Sequence, residues 1–173
     1  HYDGDIDELL NLNFTFLNKS ISFRNQIEWN QNNLNRGTRL LKLNLHYQEY
    51  LVDLSMRFIK TKNQNELNFI LTLIQSWISK NNYFDVESFK CSWNSYCVSV
   101  RLTNYIKVFC ILKNHLNLTQ KKLIYSVIKQ HSKYLINNFE YDIRGNHLLE
   151  NHISTLFSLV FLGNQKKFNK YLV

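Results

Sequence analysis

The sequence predicts an all-α chain, and three observations carry that expectation. Proline is absent and only 4 of the 173 residues are glycine, so long helices meet few breakers. Apolar side chains recur at three- and four-residue steps through successive segments, the period of a helix with one buried face. Hydrophobic residues make up 45% of the chain and aromatic residues 14%, ample material for one core at this length.

Residues 1–34 mix short Phe- and Ile-containing runs with Asn-rich turns and read as an irregular or extended lead-in. A helical domain is expected over residues 35–173. Its first helix is opened by His46 and Tyr47 and marked by Tyr47, Tyr50, Leu51, Leu54 and Phe58; Leu67, Ile70, Leu71, Ile74 and Trp77 mark a second. A loop is expected from Lys80 to Ser92. Val98, Leu102, Ile106 and Phe109 mark a third helix, and Ile124, Val127, Ile128, His131 and Leu135 a fourth. The turn at Gly145 opens a fifth, and a sixth is expected to begin near Gln165.

Charge narrows the partners without choosing one. The 21 Lys and Arg residues against 13 Asp and Glu leave a net charge of +8, which favours polyanions: nucleic acid, anionic lipid or acidic polysaccharide. No RNP, finger or basic-region motif is present, so no nucleic-acid partner is expected, and a helical nucleic-acid-binding module is a rival supported by charge alone. The apolar runs are too short and too often broken by Lys, Asn or Ser to span a bilayer. Cys91, Cys97 and Cys110 form an odd set without Cys-x-x-Cys spacing, and the histidines lack ligand spacing. Neither a disulfide framework nor a metal or other cofactor is expected.

Gly145-Asn146-His147-Leu148-Leu149-Glu150-Asn151 places polar residues at a helix start after a glycine. The free N–H groups and the positive end of the macrodipole favour an anion there. His147, Glu150, Asn151 and Ser154 fall at i, i+3, i+4 and i+7 on one side, where they can line a cleft, while Ile153, Leu156, Phe157 and Val160 can face a core. Two further clusters accompany it. Trp93 to Lys107 combines Trp93 and Tyr96 with Arg101 and Asn104, which are i, i+3 neighbours able to reach one ligand. Arg39 to Leu51 contains His46 and Tyr47. Each cluster also reads as ordinary structure: a helix start, core anchors, a surface cation.

In this order and spacing the clusters resemble the heparinase II/III-like polysaccharide lyases, a group that includes alginate lyases, in their N-terminal helical region. The matching residues are Phe14 to Asn18, Trp29, Arg39 to Tyr47, Trp77-Ile78, Trp93 to Lys107, and Glu140 to Asn151, with Gly-Asn-His-Leu-Leu the most specific block. Cys97 stands where the family pattern has Pro, Tyr105 where it has Trp, and Leu41 and Leu43 where it has aromatics. The resemblance implies an incomplete (α/α) toroid of antiparallel helix pairs over residues 35–173, the first part of a larger protein whose remaining helices and β-sandwich lie elsewhere.

That family cleaves acidic polysaccharides by β-elimination, and a periplasmic or extracellular location is implied. By resemblance Asn146 and His147 take catalytic roles, Asn146 as a donor to the uronic carboxylate. His46, Tyr47, Trp93, Tyr96, Arg101, Asn104, Glu150 and Asn151 read as substrate-binding residues. The family's acid-base tyrosine and a further histidine are expected beyond Val173. The rival expectation is a non-catalytic carbohydrate-binding or scaffold domain serving surface-polysaccharide assembly. Oligomeric state is left open.

Overall fold

A computed structural model describes residues 2–29, 39–82, 91–143, 145–164 and 168–169. Among them the chain is all-α apart from one two-stranded sheet, and it divides into two compact units, His1–Trp93 and Asn94–Val173.

The first unit begins with α1 (Ile6–Leu10), capped by Asp5, whose carboxylate accepts from the Asp7 amide. A hairpin follows, β1 (Asn13–Phe16) against antiparallel β2 (Lys19–Ser22), with Phe14 opposite Ile21. The stretch read as an extended lead-in therefore holds a short helix as well as two strands. The two turn residues, Leu17 and Asn18, both lie at positive φ, the hand that lets a two-residue turn follow the strand twist. Alternation buries Phe14 and Phe16 together, and both rings meet Tyr50, at 5.1 and 6.2 Å. Gly4 is required by a close approach: a Cβ there would lie 2.4 Å from the Tyr2 hydroxyl, which accepts from the Thr15 amide.

Helices α2 (Arg39–Tyr47), α3 (Tyr50–Thr61) and α4 (Gln64–Lys80) complete this unit. The sequence expectation that His46 and Tyr47 open a helix is corrected here: they end α2. Gln48, at φ 54, breaks the run, and the Tyr50 hydroxyl donates back to the Leu45 carbonyl that the end of α2 leaves free. Lys62 in the left-handed region ends α3, and Asn63 caps α4 through the Asn65 amide. So short a link makes α3 and α4 neighbours. The expected second helix lies within α4, with Leu67, Ile70, Ile74 and Trp77 buried. Most of the loop expected from Lys80 to Ser92 falls outside the described residues, as does most of the sixth helix expected near Gln165.

The second unit holds α5 (Ser95–Leu112), α6 (Leu118–Ile136) and α7 (Asn146–Phe161). Helix α5 is buried on nearly all sides, including Val98, Leu102 and Ile106, as its neighbours α6 and α7 demand. Asn117 and Gln120 form a reciprocal capping box at the start of α6, whose buried stripe is Ile124, Val127, Ile128, His131 and Leu135.

Helix α7 reverses the expected facing. Asn151, Ser154, Thr155, Ser158 and Leu159 are buried, whereas Ile153, Phe157 and Val160 are exposed and Leu156 is half-buried. Asn151, Ser154 and Ser158 turn inward where they find hydrogen-bond partners. The Ser154 hydroxyl lies 2.9 Å from Thr103 Oγ1 and 3.0 Å from the Ser99 carbonyl on α5, and Ser158 meets Ser132 of α6 at 2.8 Å. Small hydroxylated side chains let helices approach closely, and satisfied polar groups carry little burial penalty. Among the described residues no helix is long and apolar enough to cross a membrane.

Candidate functional site

Gly145 precedes α7 at φ 94, ψ −137 with open space around it, a backbone geometry open essentially to glycine alone. It brings no side-chain cap, so the amide groups of the first turn of α7 lack the partner that Asn63, Asn94 and Asn117 give to α4, α5 and α6. The first bond of α7 runs from the Leu149 amide to the Gly145 carbonyl. Asn146 is exposed and His147 half-exposed beside these amides, which find no partner among the described residues.

His147 is held from two sides. Its ring stacks on Tyr96 of α5, with centroids 4.3 Å apart and planes 24° from parallel. Its Nδ1 lies 3.2 Å from Oε2 of Glu140. Glu140 is nearly buried, and its other oxygen, Oε1, accepts from Asn94 Nδ2 at 2.7 Å. The Glu140 amide donates to Asn151 Oδ1, Asn151 Nδ2 donates to Ser99 Oγ at 2.8 Å, and Ser99 donates to the Ser95 carbonyl. Ser95 in turn donates to the Asn138 carbonyl. The start of α5, the 138–140 segment and the start of α7 are thus one hydrogen-bonded block.

Of the residues singled out in the sequence, this block unites Tyr96, His147 and Asn151, with Asn146 and Glu150 beside them on α7. Glu150 Oε1 lies 3.1 Å from the Ser154 hydroxyl. Asn151 is fully buried and works from behind the surface. Arg101 and Asn104, expected to reach one ligand, are 0% and 3% exposed. Arg101 Nε donates to His131 Nε2 at 2.9 Å, and its Nη1 lies 3.3 Å from Cys97 Sγ. The guanidinium is therefore spent inside the unit.

His46, Tyr47 and Trp93 belong to the first unit. His46 and Trp93 are buried in an aromatic chain, where Trp77 Nε1 donates to His46 Nδ1 at 3.0 Å and Trp93 Nε1 donates to the Asn81 carbonyl. Tyr47 is half-buried. These are internal engagements, and only Tyr47 offers surface for a ligand.

Glu140 and Asn94 were not singled out as site residues. Asn94 carried a legible signal, since Asn before an apolar run is an N-cap, and its Oδ1 does accept from the Cys97 amide. Glu140 precedes His147 by seven residues across a turn and lies outside any helix, so helical spacing does not link the two. Burial pushes the Tyr134 phenol up to about 12 and that of Tyr105 higher still, so neither tyrosine supplies a base near neutral pH. A separate open cleft of about 280 Å³, lined by Tyr125, Lys129, Lys133 and Asn164 among others, sits by the far end of α7. That end is roughly 20 Å from the Gly145 turn along a helix of this length.

The crystal structure of heparan sulfate lyase HepC from Pedobacter heparinus superposes with a TM-score of 0.82 at 18% identity, covering 95% of this chain and 26% of that one. A HepC mutant from the same organism gives a TM-score of 0.77 at 18% identity, with 88% and 24% covered. The chain thus spans about a quarter of the length of these solved lyases. No curated protein matches it. The family model described as Heparinase II/III N-terminus matches residues 4–170, nearly the whole chain, and the chain belongs to that family.

Proposed function

We propose that this chain forms part of a polysaccharide lyase acting on a uronic-acid-containing acidic polysaccharide by β-elimination. The observation that carries the reading is the start of α7, which has no side-chain cap, with an exposed Asn146 and a half-exposed His147 beside first-turn amides that find no partner among the described residues. Such a position favours an anion: helix amides and the macrodipole act together on it. Membership of the Heparinase II/III N-terminus family and a fold shared with heparan sulfate lyase HepC support the same class of substrate.

The chemical difficulty is the weak acidity of the C5 proton, which lies α to a carboxylate. Removing it places a second negative charge next to the first. In the elimination, a base takes the C5 proton, the C4–O bond breaks, a C4–C5 double bond forms, and the departing oxygen takes up a proton from an acid. Donors aimed at the carboxylate lower the barrier by stabilising the developing dianion, each worth about 3 kcal/mol when well placed. Asn146 and the first-turn amides take that role here, and Tyr96 and Glu150 of the same unit contact the sugar. The acid and base are supplied by the remainder of the parent lyase.

The test is the Asn146→Ala variant of the full-length parent. Its kcat, followed by absorbance of the unsaturated product, should fall about 100-fold or more, with the fold intact by circular dichroism. An unchanged kcat overturns the role of Asn146. Binding of the polysaccharide without any unsaturated product from the parent itself replaces the lyase reading with that of a carbohydrate-binding domain.

A further inference from the structure

We propose that Glu140 is a positioning residue that fixes His147 in one tautomer, with the proton on Nδ1, so that Nε2 is a hydrogen-bond acceptor turned to a ligand. The assignment follows from a chain of constraints that begins at Asn94. The Oδ1 of that residue accepts the Cys97 amide as the cap of α5, so its Nδ2 must face Glu140, where it donates at 2.7 Å. One carboxylate oxygen is thereby satisfied by a donor.

The other oxygen faces His147 Nδ1 at 3.2 Å. A carboxylate only accepts, so the imidazole must bring its proton to that nitrogen. Asn151 holds the backbone of Glu140 in place through the amide bond at 3.1 Å, and stacking on Tyr96 at 4.3 Å fixes the plane of the ring. Four side chains from three segments therefore agree on one orientation. A neutral imidazole protonated on Nδ1 has a lone pair on Nε2, and Nε2 has no partner among the described residues.

This deepens the lyase reading, on which its functional meaning rests, because it separates the two neighbours on α7. Asn146 can donate to an anionic group, whereas neutral His147 can only accept at Nε2. A sugar hydroxyl or a proton leaving carbon suits that atom; a carboxylate does not. Glu140 itself touches no ligand in this arrangement and acts through the ring.

The decisive measurement is the tautomeric state of His147 in the 173-residue chain, read from imidazole ¹⁵N shifts by NMR above neutral pH and assigned by loss of the signal in His147→Gln. The Nδ1–H form should prevail by about tenfold or more, as a charge-assisted hydrogen bond implies. In Glu140→Gln the new side-chain amide can donate to Nδ1, so the balance should move toward Nε2–H. The buried His131, bonded through Nδ1 to the Val127 carbonyl, reports in the same spectra whether the fold survives. Should Glu140→Gln lose that signal, the wild-type spectrum still decides.

A wild-type His147 protonated mainly on Nε2, or an Nδ1–H form unchanged in a folded Glu140→Gln chain, overturns the proposal. Because no substrate is present, failure of the lyase reading leaves this result untouched. A wrong tautomer likewise leaves the lyase reading standing.

Discussion

Arg101, expected to reach a ligand, and His131, expected in the buried stripe of its helix and found there, meet inside the second unit at 2.9 Å. Arg101 donates into Nε2, which obliges the His131 proton to sit on Nδ1, facing the Val127 carbonyl. Burial, and secondarily the Arg101 charge, depress the His131 pKa well below its ordinary value of 6.5. The unfolded chain therefore binds a proton at this site below about pH 6.5 while the folded chain does not. Stability is complete above that pH and is lost as pH falls toward the depressed value, at up to about 1.4 kcal/mol per pH unit. Urea unfolding of the wild type and His131→Gln between pH 7.5 and pH 5 should show this: the wild type loses stability more steeply, and equal slopes would contradict the burial argument.

At the level of elements, α7 is the instructive case. Its pattern of His147, Glu150, Asn151 and Ser154 was legible, and so was the apolar set opposite. Which of the two faces turned inward was not, because amphipathicity assumes that the partner surface is apolar. Here α5 and α6 present Ser99, Thr103 and Ser132, and the polar stripe of α7 meets them. The start of α7 depends on Gly145 at φ 94. Gly145→Ala has space for its methyl group but not the backbone freedom. It should destabilise the second unit by roughly 1–3 kcal/mol, measured as a shift in the urea midpoint. A shift below about 0.5 kcal/mol would show that the turn relaxes without cost.

At the scale of the whole molecule, a net charge of +8 acts on any long anionic partner before a contact is made. Retention of this chain on immobilised heparin or alginate should weaken sharply between about 0.1 M and about 1 M salt, where the screening length falls from about 10 Å to about 3 Å. Retention indifferent to salt would remove charge from the account. Sequence alone determined the helical class, the positions of α4, α5 and α6, and the family, because apolar period and the Gly-Asn-His-Leu-Leu block are local properties of the chain. It did not determine that α2 ends at Tyr47, since a single left-handed residue, Gln48, leaves no mark on apolar spacing. Nor did it reveal that Arg101, Asn104, His46 and Trp93 are enclosed while Asn146 is exposed, or that Glu140 reaches His147. Those outcomes rest on which helices face each other, and a buried polar group goes where another segment can complete its hydrogen bonds.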